Sequence, residues 1–498
     1  MMEKNFSDLQ KMSPAELLQE IQKRKTNKVN ELVTDNEFEQ FLIDLWQSYF
    51  PDSHFDTHTD FFSLGGTSLQ AVMFLSKIKS KYNIEFDLID MFKATTIAAQ
   101  AKLIKDTLDN HKEEGKSFDY QADINLIKQI NLSSDIKPVS NKLDNILLTG
   151  ASGFLGIHLL KELLTNTDAV IFCIMRATSK EEGLARLLKI AKANKITLTT
   201  AEQCRIQCLC GDIAQKNLGL SEPDLTYVTE CCDLIIHSAA AVNFVYPYER
   251  LRETNVLSLI ELIKIAATYK LKSIHLISTI GVFNNQFNSL NKINENTPLL
   301  ESAHLNGYFQ SKWVIEKISE IAKEKGLPIA IYRPSGITIN SKTKALGSED
   351  LTYQLMKLSM KMGAFADLNT IIDVVPVDYV AEAITKLVAN HPFQSNIYHL
   401  TSGEALSSKE LINQLPKSKF IKILSYKEYI EQANKLVANT EDKELQRLGT
   451  LLISHLVVNS NATDNLPTFN STFTDSLLNL KKKPKLKDTL LLIMKAAS

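Results

Sequence analysis

No stretch of this chain reaches the roughly 18 uninterrupted apolar residues that a membrane span requires. The apolar run Leu451–Val458 is too short and is interrupted by Ser454 and His455. The amino-terminal residues MMEKNFSDLQ lack the apolar centre of a signal peptide. Charge of one sign is missing as well: 56 Lys and Arg against 57 Asp and Glu give a formal net charge of −1. Nothing global therefore draws the chain to nucleic acid or to an anionic membrane. The lysines at 481, 482, 483, 485 and 487 are a local run that reads as a solvated segment. Cysteine is scarce: six in all, and all fall between Cys173 and Cys232. Their spacing is not that of a zinc site, which prefers paired C-x2-4-C units. Several sit in apolar, strand-like runs such as Ile206–Cys210, so they read as free thiols of a reducing, cytoplasmic compartment, with no metal. No internal repeat is present.

What the sequence does contain divides into segments. A length of 498 residues suggests about three units at roughly 100–200 residues each. Residues 1–32 hold one short amphipathic helix, with Ser13 as cap, Pro14 at the first helical position and Glu16 three residues after the cap. It reads equally as a linker or as a docking helix. Residues 33–107 read as an all-α bundle of four helices. Phe38, Phe41, Leu42, Leu45 and Trp46 recur at helical spacing, a second helix starts near Ser68, a short one lies around Asp87–Phe92 and the last begins near Thr96. This unit is acidic. Residues 108–141 are polar and read as a linker with a turn of helix near Ile124–Ile130. From Asn145 apolar strands alternate with helices, the pattern of a parallel α/β sheet. The strand candidates are Ile146–Thr149, Ala169–Met175, Ile206–Cys210, Leu234–Ser238, Ser273–Ser278, Ile329–Tyr332 and Ile397–Leu400. Residues 142–402 are thus expected to form a Rossmann-type, doubly wound sheet. Residues 403–498 are expected to add a smaller, mostly helical subdomain that holds substrate.

Asp60-Phe61-Phe62-Ser63-Leu64-Gly65-Gly66-Thr67-Ser68-Leu69 resembles the 4′-phosphopantetheine attachment site of acyl and peptidyl carrier proteins. The resemblance implies that Ser68 receives the arm from a phosphopantetheinyl transferase. Gly65 and Gly66 permit a close approach to the helix start, whose free N–H groups suit a phosphodiester.

The strand at 146–149 leads into Gly150-Ala151-Ser152-Gly153-Phe154-Leu155-Gly156 and then a helix. Glycines at this turn let the backbone approach a pyrophosphate, and the helix N-terminus faces its charge. An NAD enzyme places Asp or Glu at the end of the second strand; here that strand runs into Arg176, and Asp168 lies at its other end. A guanidinium there suits a 2′-phosphate, which favours NADPH.

Tyr308 and Lys312 stand four apart, on one face of a helix. A neighbouring ammonium is expected to lower the phenol's pKa and make it a better proton donor. With the glycine turn, this pattern resembles the extended short-chain dehydrogenase/reductases. Over residues 145–400 it is similar to the thioester reductase domains that end some nonribosomal peptide and polyketide synthetases, and to carboxylic acid reductases. That resemblance implies Thr279, with Ser278 as the other choice, as the third catalytic group beside Tyr308 and Lys312. It implies Arg186 as a second phosphate-binding arginine and Asp212 and Ile213 beside the adenine. Ala239 and Ala240 become the small residues that let the cofactor pass, and Pro334 and Ser335 the loop over the nicotinamide. Asn255 and Val375–Asp378 resemble further positions of those domains. Asp350 is a candidate for gating a second reduction.

The function so implied is NADPH-dependent release of a carrier-bound acyl or peptidyl thioester as an aldehyde, with onward reduction to an alcohol open. Carboxylic acid reductases carry an adenylation domain ahead of the carrier and this sequence shows none, so loading is expected from an upstream adenylating or synthase protein in trans. Three other readings stand beside it: a sugar-nucleotide epimerase, which the fused carrier disfavours; redox-independent Dieckmann cyclisation, which Tyr308 and Lys312 disfavour; and a carrier scaffold without catalysis. Nothing in residues 340–370 or beyond 403 names the acyl chain.

Overall fold

The computed structural model describes residues 34–497 except 35, 52, 65, 67, 83, 85, 87–89, 92–93, 109–118, 131–135, 138–141, 245, 287–289, 302–305, 348–349, 369–372, 414–420, 439–466 and 479–482. The helix expected at residues 13–21 lies outside the described residues. The chain divides into two compact units, Met1–Gly115 and Lys116–Ser498.

In the first unit, α1 (Glu37–Tyr49) starts at Asn36, whose side chain accepts from Phe38 N and Glu39 N. This caps the helix, and Glu37 and Glu39 favour its positive end. Leu42, Ile43 and Trp46 of α1 are buried with Phe61, Phe74, Ile78 and Ile104. Trp46 Nε1 donates to Gln100 Oε1 at 3.1 Å, tying α1 to α3 (Ile97–Leu108) through an otherwise apolar core. Between them runs α2 (Ser68–Tyr82). The loop ahead of α2 is fixed: Asp60 Oδ1 accepts from Phe62 N and Ser63 N, and Gly66 N donates to Phe61 O. A Cβ on Gly66 would lie 2.4 Å from the Phe61 ring, so only glycine lets the chain pass into α2. Ser68 is the first residue of α2; its side chain lies outside what the structure describes. Of the short helix expected at 87–92, only 90–91 are described, and as helix.

The second unit is built on seven parallel strands: β1 (Asn145–Thr149), β2 (Val170–Met175), β3 (Ile206–Cys210), β4 (Leu234–His237), β5 (Ser273–Ile277), β6 (Ile329–Pro334) and β7 (Ile397–Leu400). Their spatial order is β7-β6-β5-β4-β1-β2-β3, with Ile146 in register with Ile171 on one side and Leu234 on the other. The order reverses at β1 and β4, which opens a crevice at their carboxyl ends.

The strands are apolar throughout because both faces are covered. Ile146, Leu148, Leu234 and Ile236 point into one core, and Leu147 and Ile235 into the other, as the two-residue period requires. Among the helices of this unit are α4 (Tyr120–Asn125), α5 (Phe154–Asn166), α6 (Lys180–Ala193), α7 (Tyr248–Arg252), α8 (Ser258–Ala266), α9 (Gly307–Glu324), α10 (Leu351–Met362), α11 (Val377–Asn390), α12 (Tyr426–Ala438) and α13 (Leu486–Ala497). α5 and α11 fill the first core; α8 and α9 fill the second.

The structure departs from the expected segments in two places. In the stretch that reads as a linker, α4 and the turn Leu126–Gln129 are ordered, with Ile124 and Ile127 buried in the second core. The turn of helix read near Ile124–Ile130 falls on these elements, which begin earlier, at Tyr120. Beyond residue 402, α13 packs Leu486, Leu490 and Ile493 against Met356 of α10, forming the helical subdomain. Thr468–Phe469, however, returns to pair with Lys292–Ile293. Among the described residues no helix is long and apolar enough to cross a membrane.

Candidate active site

At the β1 carboxyl end Gly150 has φ +76°, and a Cβ there would lie 2.6 Å from Ala239 N. A Cβ on Gly156 would lie 1.9 Å from Gly150 O. The turn therefore closes onto α5 and onto the loop after β4 with no room for side chains. α5 is capped at Gly153 without any side-chain hydrogen bond, so no cap side chain competes for the N–H groups of its first turn. Ser152 and Gly153 are exposed there, Phe154 and Leu155 are half-buried and Gly156 is buried. This cradle fits a dinucleotide pyrophosphate.

Arg176 follows β2 directly and is exposed. Arg186, on α6, donates from Nη1 to Arg176 O at 3.1 Å, so its guanidinium lies against the backbone that follows β2. Asp168 sits at the opposite end of β2. Asp212 is half-buried, accepts from Ala214 N and is fixed by its own N–H to Leu218 O, with Ile213 packed on the second core. Ala239 and Ala240 are half-buried after β4.

α9 begins at Asn306, whose side chain accepts from Phe309 N. Tyr308 and Lys312, one turn apart on it, are 8% and 4% exposed. Lys312 Nζ donates to Ile277 O of β5 at 2.7 Å and lies 6.0 Å from the Tyr308 ring centre. Burial brings Lys312 down to about 8. Burial also pushes the Tyr308 phenol well above its usual range, which corrects the expectation of a lowered value. The rings of Phe244 and Phe309 stand 5.3 and 5.6 Å from Tyr308, part of the dry surround that disfavours an ionised phenol.

Ser278 and Thr279 separate cleanly. Ser278 is buried and its hydroxyl donates to Glu316, which in turn holds Arg333 at 2.6 Å with both partners 1% exposed. Thr279 is half-buried and its hydroxyl accepts from Gly281 N, leaving its proton to give. Pro334 ends β6, and Ser335 follows with a buried hydroxyl that has no partner among the described residues.

A model of the phosphopantetheine attachment site matches residues 40–104, and one described as male sterility protein, an NAD-binding family, matches residues 148–384. The crystal structure of the terminal R domain from the myxalamid PKS-NRPS biosynthetic pathway is 32% identical, with a TM-score of 0.68. The match covers 96% of that domain and 76% of this chain. The chain belongs to the carrier-linked terminal reductase family of nonribosomal peptide synthetases. A linear gramicidin synthase of Brevibacillus parabrevis is 34% identical over 78% of this chain but only 8% of its own length. The reductase chain spans less than half the length of the first curated relatives it matches. An archaeal thiolation-reductase di-domain shares the fold at a TM-score of 0.68 and 22% identity, over 94% of this chain and 98% of that one. Membership carries two cofactor sites, one for covalent phosphopantetheine and one for a nicotinamide dinucleotide.

Of the polar groups packed around these elements, His237 and Glu316 escaped the sequence, whereas Asn255 and Asp350 are singled out by it. His237 is buried between Thr149 Oγ1 at 2.8 Å and Ser258 Oγ at 3.3 Å, and burial lowers it to about 3, so it stays neutral. Thr149 Oγ1 accepts from Ala239 N, so this histidine braces the glycine turn. Asn255, in the π-turn Glu253–Leu257, accepts from Ala241 N and donates to Ser311 Oγ on α9. Glu316 was hidden because its partner Arg333 is 17 residues away on another element. Asp350 caps α10 by accepting from Tyr353 N, and Thr338 donates to its other oxygen. Both oxygens of its carboxylate therefore have partners. All six cysteines are free, and burial pushes the Cys208 and Cys232 thiols up to about 11 and about 12.

Proposed function

We propose that this chain releases a carrier-bound acyl or peptidyl thioester reductively, as an aldehyde, with NADPH as reductant. The observation that supports the reading is Lys312, one helical turn from Tyr308, donating to Ile277 O at the end of β5, two residues before Thr279, in a chain that also bears a carrier domain. Ser68 is the attachment point for phosphopantetheine, and a flexible arm there raises the effective concentration of thioester at a site in the same chain.

Gly150, Ser152, Gly153, Phe154, Leu155 and Gly156 hold the pyrophosphate. Arg176 and Arg186 hold the 2′-phosphate, and Asp212 and Ile213 flank the adenine. Ala239 and Ala240 leave room for the chain of the cofactor, Lys312 holds the nicotinamide ribose, and Pro334 and Ser335 close over the ring. When bound, NADPH supplies a hydride to the thioester carbonyl carbon.

The protein's part is donation and positioning. Thr279 and Tyr308 donate hydrogen bonds to the carbonyl oxygen where negative charge develops. A phenol held high stays protonated at neutral pH, ready to give its proton to that oxygen. Lys312, pinned to Ile277 O, keeps a positive charge nearby. Collapse of the resulting hemithioacetal expels the thiol and leaves the aldehyde. The partners are a phosphopantetheinyl transferase, an upstream adenylating or synthase activity that loads the carrier, and the acyl or peptidyl substrate; the cytoplasm supplies NADPH.

The test is co-expression with a phosphopantetheinyl transferase, a mass gain located on Ser68, and loading with a model acyl group. Loss of reduced-cofactor absorbance with aldehyde formation is expected, and Tyr308→Phe should abolish it. Normal turnover by the Phe variant would refute the assignment.

A further inference from the structure

The described part of the reductase unit starts ahead of its sheet, and this first segment grips the element beneath the tyrosine. Asp123 of α4 is 2% exposed. Arg252 Nε donates to its two oxygens at 2.9 and 2.7 Å, and Arg252 Nη2 donates to Oδ1 at 2.5 Å. The Tyr248 hydroxyl donates to Oδ2 at 2.7 Å. Both partners belong to α7. The Tyr120 ring meets Tyr248 edge-on at 4.8 Å. At the far end of the segment Lys325 Nζ donates to the carbonyls of Ile127, Lys128 and Ile130.

α7 touches the site at two places. A Cβ on Gly307 would lie 2.3 Å from Tyr246 O and 2.6 Å from Tyr248 N, so backbone meets backbone there, and Tyr308 is the next residue. Arg252 also leads directly into the π-turn that places Asn255 on Ala241 and Ser311. A shift of α7 therefore moves both the start of the tyrosine helix and the Asn255 contacts.

We propose that Asp123 is a positioning residue for hydride transfer: the segment after the carrier is a strut that fixes α7 and, through it, Tyr308. This rests on Tyr308 being the proton donor of the proposed function. Packed backbones transmit displacement because nothing flexible lies between them.

The experiment uses the full chain, loaded with octanoyl-phosphopantetheine from octanoyl-coenzyme A by a phosphopantetheinyl transferase. Single-turnover oxidation of NADPH and its dissociation constant are measured for wild type, Asp123→Asn, Tyr248→Phe and Lys325→Met. Asp123→Asn is expected to slow hydride transfer about 10–100-fold, the scale of a misplaced catalytic group. NADPH affinity should stay within about twofold, as for a loss felt only in the chemical step. Tyr248→Phe should show the same split, and it keeps the test alive if Asp123→Asn does not fold. Lys325→Met loosens the far end of the same strut; it should lower the thermal midpoint and leave the rate within about twofold. Wild-type rates in both Asp123→Asn and Tyr248→Phe overturn the proposal. So does an equal loss of rate in folded Lys325→Met, which would mark the strut as structural only. A wild type that oxidises no NADPH when loaded overturns the proposed function itself.

Discussion

Replacing Lys312 by methionine should make the reductase unit more stable at neutral pH while abolishing its chemistry. The ammonium is 4% exposed, and burial lowers it from 10.5 to about 8. At about 1.4 kcal/mol for each pH unit, that fall corresponds to about 3 kcal/mol of penalty for holding the charge at pH 7. Against this stands the hydrogen bond to Ile277 O at 2.7 Å. Stranding that carbonyl costs about 1–2 kcal/mol. Methionine is close in length and fills the space. The balance favours the variant by about 1–2 kcal/mol at pH 7.

The sign reverses with pH. Between about 8 and 10.5 the unfolded chain binds the proton that the folded chain has released, so the wild type gains stability as pH rises through that window. Urea unfolding followed by fluorescence reads this, since Trp313 is the next residue in α9 and Trp46 reports the carrier. The Met variant should unfold at higher urea at pH 7, and its advantage should vanish by about pH 10. An equal or lower midpoint at pH 7, or a difference that stays flat with pH, would show the buried charge is not penalised as argued.

If the lysine must be charged, kcat/KM should fall as pH rises through about 8; a flat profile to about pH 9.5 would separate activity from this group. Arg176→Ala and Arg186→Ala should each weaken NADPH about 10–100-fold, the scale of a charge-assisted hydrogen bond, and leave NADH binding unchanged. Equal losses for both cofactors, measured by titration, would remove the 2′-phosphate assignment. Thr279→Val should lower kcat about 10²–10³-fold as a lost oxyanion donor, whereas Ser278→Ala should cost about 1 kcal/mol of stability and little rate. The reverse ranking, read from turnover and urea midpoints, would exchange their roles.

The strands were legible because each is a run of apolar residues buried on both faces, and every candidate run falls on one of the seven strands, with ends that differ by at most two residues. The glycine turn was legible for a local reason: Gly150 takes a positive φ and Gly156 touches Gly150 O, demands met by residue type alone. Tyr308 and Lys312 were readable because helical spacing puts positions four apart on one face.

The sequence by itself determined the order of carrier and Rossmann sheet and the glycine turn between β1 and α5, because these depend on neighbours in the chain. Tertiary structure alone decided which hydroxyl after β5 is free to donate, that Asp350 is a helix cap, that burial raises Tyr308, and that Asp123 reaches Arg252. Each of these turns on desolvation or on a partner many residues distant, and neither quantity exists until the chain has folded around it.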